Sequence, residues 1–227
     1  MRGYRYVKRG LDIVLSGMAL VILSPLFLTL GIAIKLDSPG PVFFRQKRVG
    51  IHKSYFQIYK FRTMRINAPQ DVPTHLLENP EQYITNIGKL LRKTSLDELP
   101  QLINILKGEM SIVGPRPALW NQEDLVAERE KYGVNDVMPG LTGWAQIHGR
   151  DELEIPEKVR LDVEYINHRG LWMDIRCILG TVRSVLTHEG VVEGGTGEIC
   201  HYENETASDE SGRIEGNSQK WKNNAKF

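Results

Sequence analysis

Cysteine is scarce in this 227-residue chain: Cys177 and Cys200 are the only two, with no Cys-x-x-Cys pair and no histidine spaced to complete a zinc site. A disulfide framework is not expected, and a reducing compartment fits. The six histidines are scattered without metal-ligand spacing, so each reads as a surface or packing residue. There is no GxGxxG fingerprint, no Walker loop and no internal repeat. No recognisable nucleic-acid module is present, and predicted strands are too few for a doubly wound sheet.

Charge of one sign is nearly missing from the first part of the chain. Residues 1–65 hold twelve Lys/Arg against two acids, Asp12 and Asp37, although the net charge of the whole is only +1. Such a basic half suits anionic headgroups and phosphates. Nucleic acid is the rival partner, and the apolar segment described next argues against it.

From Ile13 to Ile34, 22 residues carry only Ser16, Ser24 and Thr29 as polar side chains. About 20 apolar residues cross the roughly 30 Å hydrocarbon core, so length alone permits one spanning helix. Pro25 argues otherwise, because it removes a backbone donor and clashes with the preceding turn. Ser24 can bond back to a freed carbonyl. Each arm would then be about 12 residues, roughly 18 Å. Basic residues flank both ends: Arg2, Arg5, Lys8 and Arg9 before, Lys35, Arg45, Lys47 and Arg48 after. Positive residues stay cytoplasmic, so the expectation is a re-entrant hairpin broken at Ser24-Pro25 rather than a span. A cleavable signal peptide is disfavoured by the long apolar run and the lack of a small-x-small site.

The expected organisation is a hairpin over 1–36, a cytoplasmic catalytic domain over 37–190 and a disordered tail over 191–227. The tail is rich in Gly, Glu, Ser and Asn and poor in apolar residues; Asn204-Glu205-Thr206 within it matches a sequon by composition alone. Val42–Phe44 and Tyr55–Phe61 read as short strands. Helices are predicted over about 81–91, 120–132, 157–167 and 174–188, with a proline-bearing loop over 66–80. The last helix places Ile175, Ile178, Leu179, Val182 and Val185 at helical spacing, an interfacial amphipathic face. Ser95-Leu96-Asp97-Glu98 matches a capping box opening a helix to about Lys107. The fold class is therefore α/β, mostly helical, with short strands.

Asp97-Glu98 is the strongest chemical feature. In a first helical turn the two carboxylates would stand about 100° apart, although acids there also serve simply to cap a helix. Arg92 and Lys93 lie just upstream. Arg116 is held between Pro115 and Pro117, which suits a fixed guanidinium fork for phosphate. Lys60 and Arg62, on or beside a strand between aromatics, are expected with Arg92 and Arg116 to bind substrate, though the pair is readable equally as an exposed basic edge. Paired acids among several cations fit metal-assisted phosphoryl chemistry.

Read in order, these segments resemble a known family. Lys8-Arg9 with the broken apolar run, Pro39-Gly40-Pro41-Val42-Phe43-Phe44-Arg45-Gln46, Lys60-Phe61-Arg62-Thr63-Met64, Leu96-Asp97-Glu98-Leu99-Pro100-Gln101, Val113-Gly114-Pro115-Arg116-Pro117 and Pro139-Gly140-Leu141-Thr142-Gly143-Trp144 are similar to the bacterial sugar transferases. These are monotopic polyprenyl-phosphate phosphoglycosyl transferases, and the likeness, over about residues 4–190, is to the small members consisting of the catalytic domain alone. The resemblance implies that Asp97 is the nucleophile, attacking the sugar-bearing phosphate of a UDP-sugar, releasing UMP and passing the phosphosugar to undecaprenyl phosphate. It implies that Glu98 assists by deprotonating the acceptor or positioning an ion. Mg²⁺ would be the metal, with Asp97 a ligand. Lys60, Arg92 and Arg116 would face phosphate and nucleotide, at the cytoplasmic face of the bacterial inner membrane. Two other readings stand beside this one: a membrane-bound lipid phosphatase, and a non-catalytic adaptor on anionic lipid.

Overall fold

The structure, a computed structural model, describes residues 2–69, 79–149 and 153–187. Most of the 66–80 loop, Cys200, the sequon and the 191–227 tail lie outside them. The described part is mostly helical, in the order α1 (Arg2–Ile22), α2 (Ser24–Asp37), β1 (Phe43–Val49), β2 (Tyr55–Phe61), α3 (Asn86–Lys93), α4 (Gln101–Lys107), β3 (Ser111–Val113), α5 (Glu123–Glu130), β4 (Gly140–Thr142), α6 (Ile155–His168) and α7 (Leu171–Thr187). Strands β1 and β2 form an antiparallel ribbon with Phe43 opposite Phe61, and β3 and β4 a short parallel pair. Strand β1 runs to Val49, well past the expected Phe44. Its alternation of exposed Arg45 and Lys47 with buried Gln46 and Val49 is carried by charged and polar residues, which conceals it from a hydrophobic pattern.

The apolar N-terminal segment breaks at Leu23, and its two helices meet with a bend of 61°. The chemistry of the break is local. Pro25 has no N–H to offer the Val21 carbonyl four residues back, and the Ser24 hydroxyl donates to that carbonyl at 2.8 Å instead. The arms are unequal, 21 and 14 residues, and the chain deflects rather than reversing as a tight hairpin would. Among the described residues no single helix is long and apolar enough to cross a membrane; α1 and α2 pass that test only together.

Both arms are built into the core. On α1, Ala19 and Leu20 pack against Ile58, Leu102, Ile105 and Met110, while Leu30 and Ile34 of α2 pack against Phe61 and Leu91. Polar ties fix the same contacts. Arg9 donates to the carbonyls of Ile105 and Leu106 at the end of α4, and buried Asp12 accepts from the Ile112 N–H. Asp174 on α7 accepts from Tyr4, Lys8 and Tyr165 at 2.7–2.9 Å. The opposite faces stay exposed: Val14, Met18, Val21 and Ile22 on α1, Leu28, Ile32 and Leu36 on α2, and Trp172, Ile175, Leu179 and Val182 on α7. The buried face of α7 carries Met173 and Cys177, whose thiol burial pushes up to about 12, so it stays protonated.

The helix expected from about residue 81 begins only at Asn86, after a single 3₁₀ turn at Pro80–Gln82. Thr85 sets that start, its hydroxyl accepting from the Gly88 N–H at 3.0 Å, and Asp37 at the end of α2 accepts from the Ile87 N–H. Two of the four free donors of a helix start are thereby satisfied.

Candidate active site

The capping box does not form. Ser95 adopts a left-handed conformation (φ 56°) and its side chain caps nothing. A Ser cap needs extended backbone, whereas Ser95 closes the tight turn leaving α3, its N–H bonded to the Arg92 carbonyl. Asp97 and Glu98 therefore sit on a 3₁₀ turn, Leu96–Glu98, and α4 begins beyond Pro100. Nor does the Glu98 side chain turn back to Ser95. It accepts from Lys60 Nζ at 2.7 Å and from Arg116 Nη2 at 2.6 Å.

Four of the expected residues thus meet across three segments: Lys60 from β2, the Asp97-Glu98 turn, and Arg116 from the loop after β3. Lys60 Nζ also stands 3.8 Å from Asp97 Oδ2. The two carboxylates are unequal. Burial raises Asp97, and Lys60 pulls it back only in part while Glu98 adds repulsion. Burial would raise Glu98 too, but Arg116 and Lys60 outweigh it and hold that carboxyl well below its ordinary range. Glu98 is a fixed anion tying two cations together, and Asp97 is the less committed oxygen donor beside it.

Arg92 projects from the last turn of α3, where its Nε donates to the Thr63 hydroxyl at 2.9 Å. Thr63 is a site component that sequence reasoning missed; its position directly after Arg62, in the Lys60–Met64 segment, is the one signal that could have marked it. Arg62 lines the same cleft, but its hydrogen bonds go elsewhere than the carboxylates. It is buried, and its guanidinium donates to the carbonyls of Ile34, Ser38 and Pro39, so burial lowers it and it clamps the exit of α2 onto β2.

The loop carrying Arg116 is held by its backbone. Gly114 approaches Gly140 so closely that a Cβ on Gly140 would lie 2.1 Å from the Gly114 nitrogen, and this contact fixes the crossing of β3 and β4 below the loop. Lys60, Asp97, Glu98 and Arg116 line a cleft of about 1250 Å³ together with Ile178 and Val182 of α7. Charged and apolar lining in one cleft suits a ligand with a charged head and a hydrophobic part.

The comparisons with known proteins agree with this chemistry. The family model for bacterial sugar transferases matches residues 3–188. The chain belongs to the bacterial sugar transferase family. It is 45% identical over 185 residues to a UDP-glucose:undecaprenyl-phosphate glucose-1-phosphate transferase of Escherichia coli K12, a match covering 78% of this chain and 40% of that protein. It is 40% identical over 192 residues to a UDP-N-acetylgalactosamine-undecaprenyl-phosphate N-acetylgalactosaminephosphotransferase of Aeromonas hydrophila, covering 82% and 45%. It is also 40% identical over 185 residues to the uncharacterized sugar transferase EpsL of Bacillus subtilis 168, covering 82% and 90%. The chain spans less than half the length of the first two relatives and most of the third.

For a member of this family the donor set is informative about metal. Among the described residues no three His, Cys, Asp or Glu side chains come together, and both Glu98 oxygens are engaged by cations. Of the Asp97-Glu98 pair, Asp97 is the carboxylate left to contribute. That does not suit a metal held by protein alone, but it fits Mg²⁺, which is commonly held by one or two carboxylates together with substrate phosphates.

Proposed function

We propose that this protein transfers a sugar 1-phosphate from a UDP-sugar to undecaprenyl phosphate. The observation that carries the reading is the unequal carboxylate pair. Glu98 is locked between Lys60 and Arg116, while Asp97 faces the same cleft with one cation 3.8 Å away. A locked anion sets the positions of cations, and the freer carboxylate is available to attack.

In the first half-reaction an Asp97 carboxylate oxygen attacks the sugar-bearing phosphorus. The bond from that phosphorus to the oxygen of the α-phosphate breaks, and UMP leaves with the electron pair. In the second, a phosphate oxygen of undecaprenyl phosphate attacks the same phosphorus and Asp97 is released as carboxylate. Lys60, Arg92 and Arg116 neutralise the phosphates, Arg92 steadied by Thr63. Glu98 acts by holding Lys60 and Arg116 in place. Mg²⁺ held by Asp97 and the diphosphate would reduce the negative charge that repels an attacking carboxylate.

The exposed apolar faces of α1, α2 and α7 form the anchor in this reading. Exposed apolar faces of this kind fit membrane contact, and in this reading the bent pair enters one leaflet from the cytoplasmic side of the inner membrane. There the charged head of the lipid acceptor lies at the height of the cleft.

The test is incubation of the membrane-embedded protein with undecaprenyl phosphate, Mg²⁺ and a panel of UDP-sugars. UMP and a lipid-linked diphosphosugar are expected, and Asp97→Ala abolishes both. Inorganic phosphate as the product would instead indicate a phosphatase. Wild-type turnover by Asp97→Ala would remove Asp97 from the chemistry.

A further inference from the structure

The carbonyl oxygens of Pro115, Arg116 and Pro117 each take a donor from elsewhere in the fold. The Gly140 N–H reaches Pro115 at 2.9 Å, Arg129 Nη1 reaches Arg116 at 2.9 Å, and Arg48 Nη1 reaches Pro117 at 3.1 Å. A proline has no N–H with which to anchor such a loop, and two of these three residues are prolines. One backbone N–H, that of Gly140, and two arginine side chains supply the anchors instead.

The middle anchor has its own foundation. Arg129 on α5 is buried, and through Nε and Nη2 it donates to Asp162 Oδ2 on α6 at 2.9 and 2.6 Å. Asp162 is 1% exposed. One face of a rigid, planar guanidinium is therefore fixed by a buried carboxylate, and its remaining arm points at the backbone of Arg116. The Arg116 side chain leaves that same residue in the other direction and reaches Glu98 at 2.6 Å.

We infer that the Arg129–Asp162 pair is a positioning device for the reaction: it fixes the Arg116 backbone so that the Arg116 guanidinium is aimed at Glu98 and at the phosphate of the nucleotide-sugar. The inference rests on the reading of Arg116 as a phosphate-binding group given above. Arg129 and Asp162 touch no reacting atom and act through Arg116. A buried ion pair is weak evidence of stabilisation, since apolar residues of similar size often serve as well or better. What an apolar pair cannot supply is a donor to the Arg116 carbonyl.

That asymmetry defines the experiment. Arg129→Met combined with Asp162→Leu keeps the volume and removes both charges, so the fold is retained and the melting temperature stays near or above that of the wild type. The catalytic efficiency of UMP release falls about a hundredfold, the scale of an ångström-sized misplacement of a positioned group. Arg129→Lys is the second variant. It keeps a cation against Asp162 but lacks the fork that reaches Arg116, so it loses activity while staying folded.

The decisive step is a double-mutant cycle with Arg116→Ala. Once Arg116 is gone, replacing the Arg129–Asp162 pair costs less than about threefold further. If the two losses multiply instead, the pair acts elsewhere and the inference is overturned. The same cycle is read by calorimetry as the affinity for UMP with Mg²⁺, which needs no turnover. Non-additive loss of UMP affinity supports the device even if the donor sugar is unidentified. Failure of the wild type to release UMP from any UDP-sugar, with the UMP-binding cycle intact, overturns the transferase reading and leaves the device standing.

Discussion

Replacing Lys60 with methionine tests how the site keeps Asp97, the proposed nucleophile, ionised. Lys60 Nζ lies 3.8 Å from Asp97 Oδ2, with the two side chains 17% and 13% exposed. Coulomb's law at an effective dielectric of 20 gives about 4 kcal/mol at that separation. Lys60 is also bound to Glu98 at 2.7 Å, so its replacement unpairs that anion as well. The direction is unambiguous. Burial already raises Asp97, and Lys60 is the strongest of the influences that lower it. Without Lys60 the carboxyl holds its proton to higher pH. The acid limb of kcat/KM for UMP release, which reports the free enzyme, therefore moves to higher pH in Lys60→Met. The plateau falls as well, because a phosphate-facing cation is lost, so limb position and plateau height must be compared separately. Glu98→Gln is the control of opposite sign: it removes the like charge that raises Asp97, and the limb moves to lower pH. Glu98 itself titrates too low to produce that limb. Limbs that stay put, or that move the same way in both variants, would refute the electrostatic account of Asp97.

Other outcomes follow from single contacts. Gly88→Ala places a Cβ 2.0 Å from the Thr63 carbonyl oxygen; a stability loss of about 1–3 kcal/mol in denaturant titration is expected, with a raised KM because Thr63 steadies Arg92. Arg62→Met leaves the carbonyls of Ile34, Ser38 and Pro39 without their charged donor, so the unfolding free energy in denaturant titration falls by about 2 kcal/mol. The KM of the folded enzyme stays unchanged, and a raised KM at unchanged stability would return Arg62 to the substrate. Restoring the helix with Ser24→Ala and Pro25→Ala should straighten the bend: cysteine labels at residues 2 and 50 report the same cytoplasmic side in the wild type and opposite sides in the variant. A label at residue 2 facing outward in the wild type would sink the one-leaflet anchor.

What the sequence could convey depended on whether a feature was written in neighbouring residues. The break at Ser24-Pro25 is such a feature: a missing donor and the hydroxyl that replaces it are adjacent, and the structure repeats them in one turn. The helices after residue 155 carry strong 3.6-residue patterns and appear within three residues of their expected limits. Ser95–Glu98 failed for the complementary reason. The local pattern satisfies a capping box, but Glu98 is claimed by Lys60, 38 residues upstream, and Arg116, 18 downstream. A surface rule cannot see a buried cation, and in a partly desolvated cleft the charged partners prevail over a backbone N–H. Arg62 shows the same limit from the other side. On sequence it is one more cation in a basic strand, equal to Lys60 two residues earlier. The pleat alone would put residues two apart on one face; the strand ends at Phe61, and Arg62 beyond it turns to the carbonyls that end α2 while Lys60 turns to the acids. Asp162 did leave a local trace, an acid between Val159 and Tyr165 on the buried stripe of α6. An acid on an apolar stripe demands a partner, but the identity of that partner, and its reach to the Arg116 backbone, exist only once α5 lies beside α6. Residue types therefore announced which groups carry charge and which segments bend; the contacts that lock one carboxylate between two cations and leave its neighbour less engaged join residues tens of positions apart.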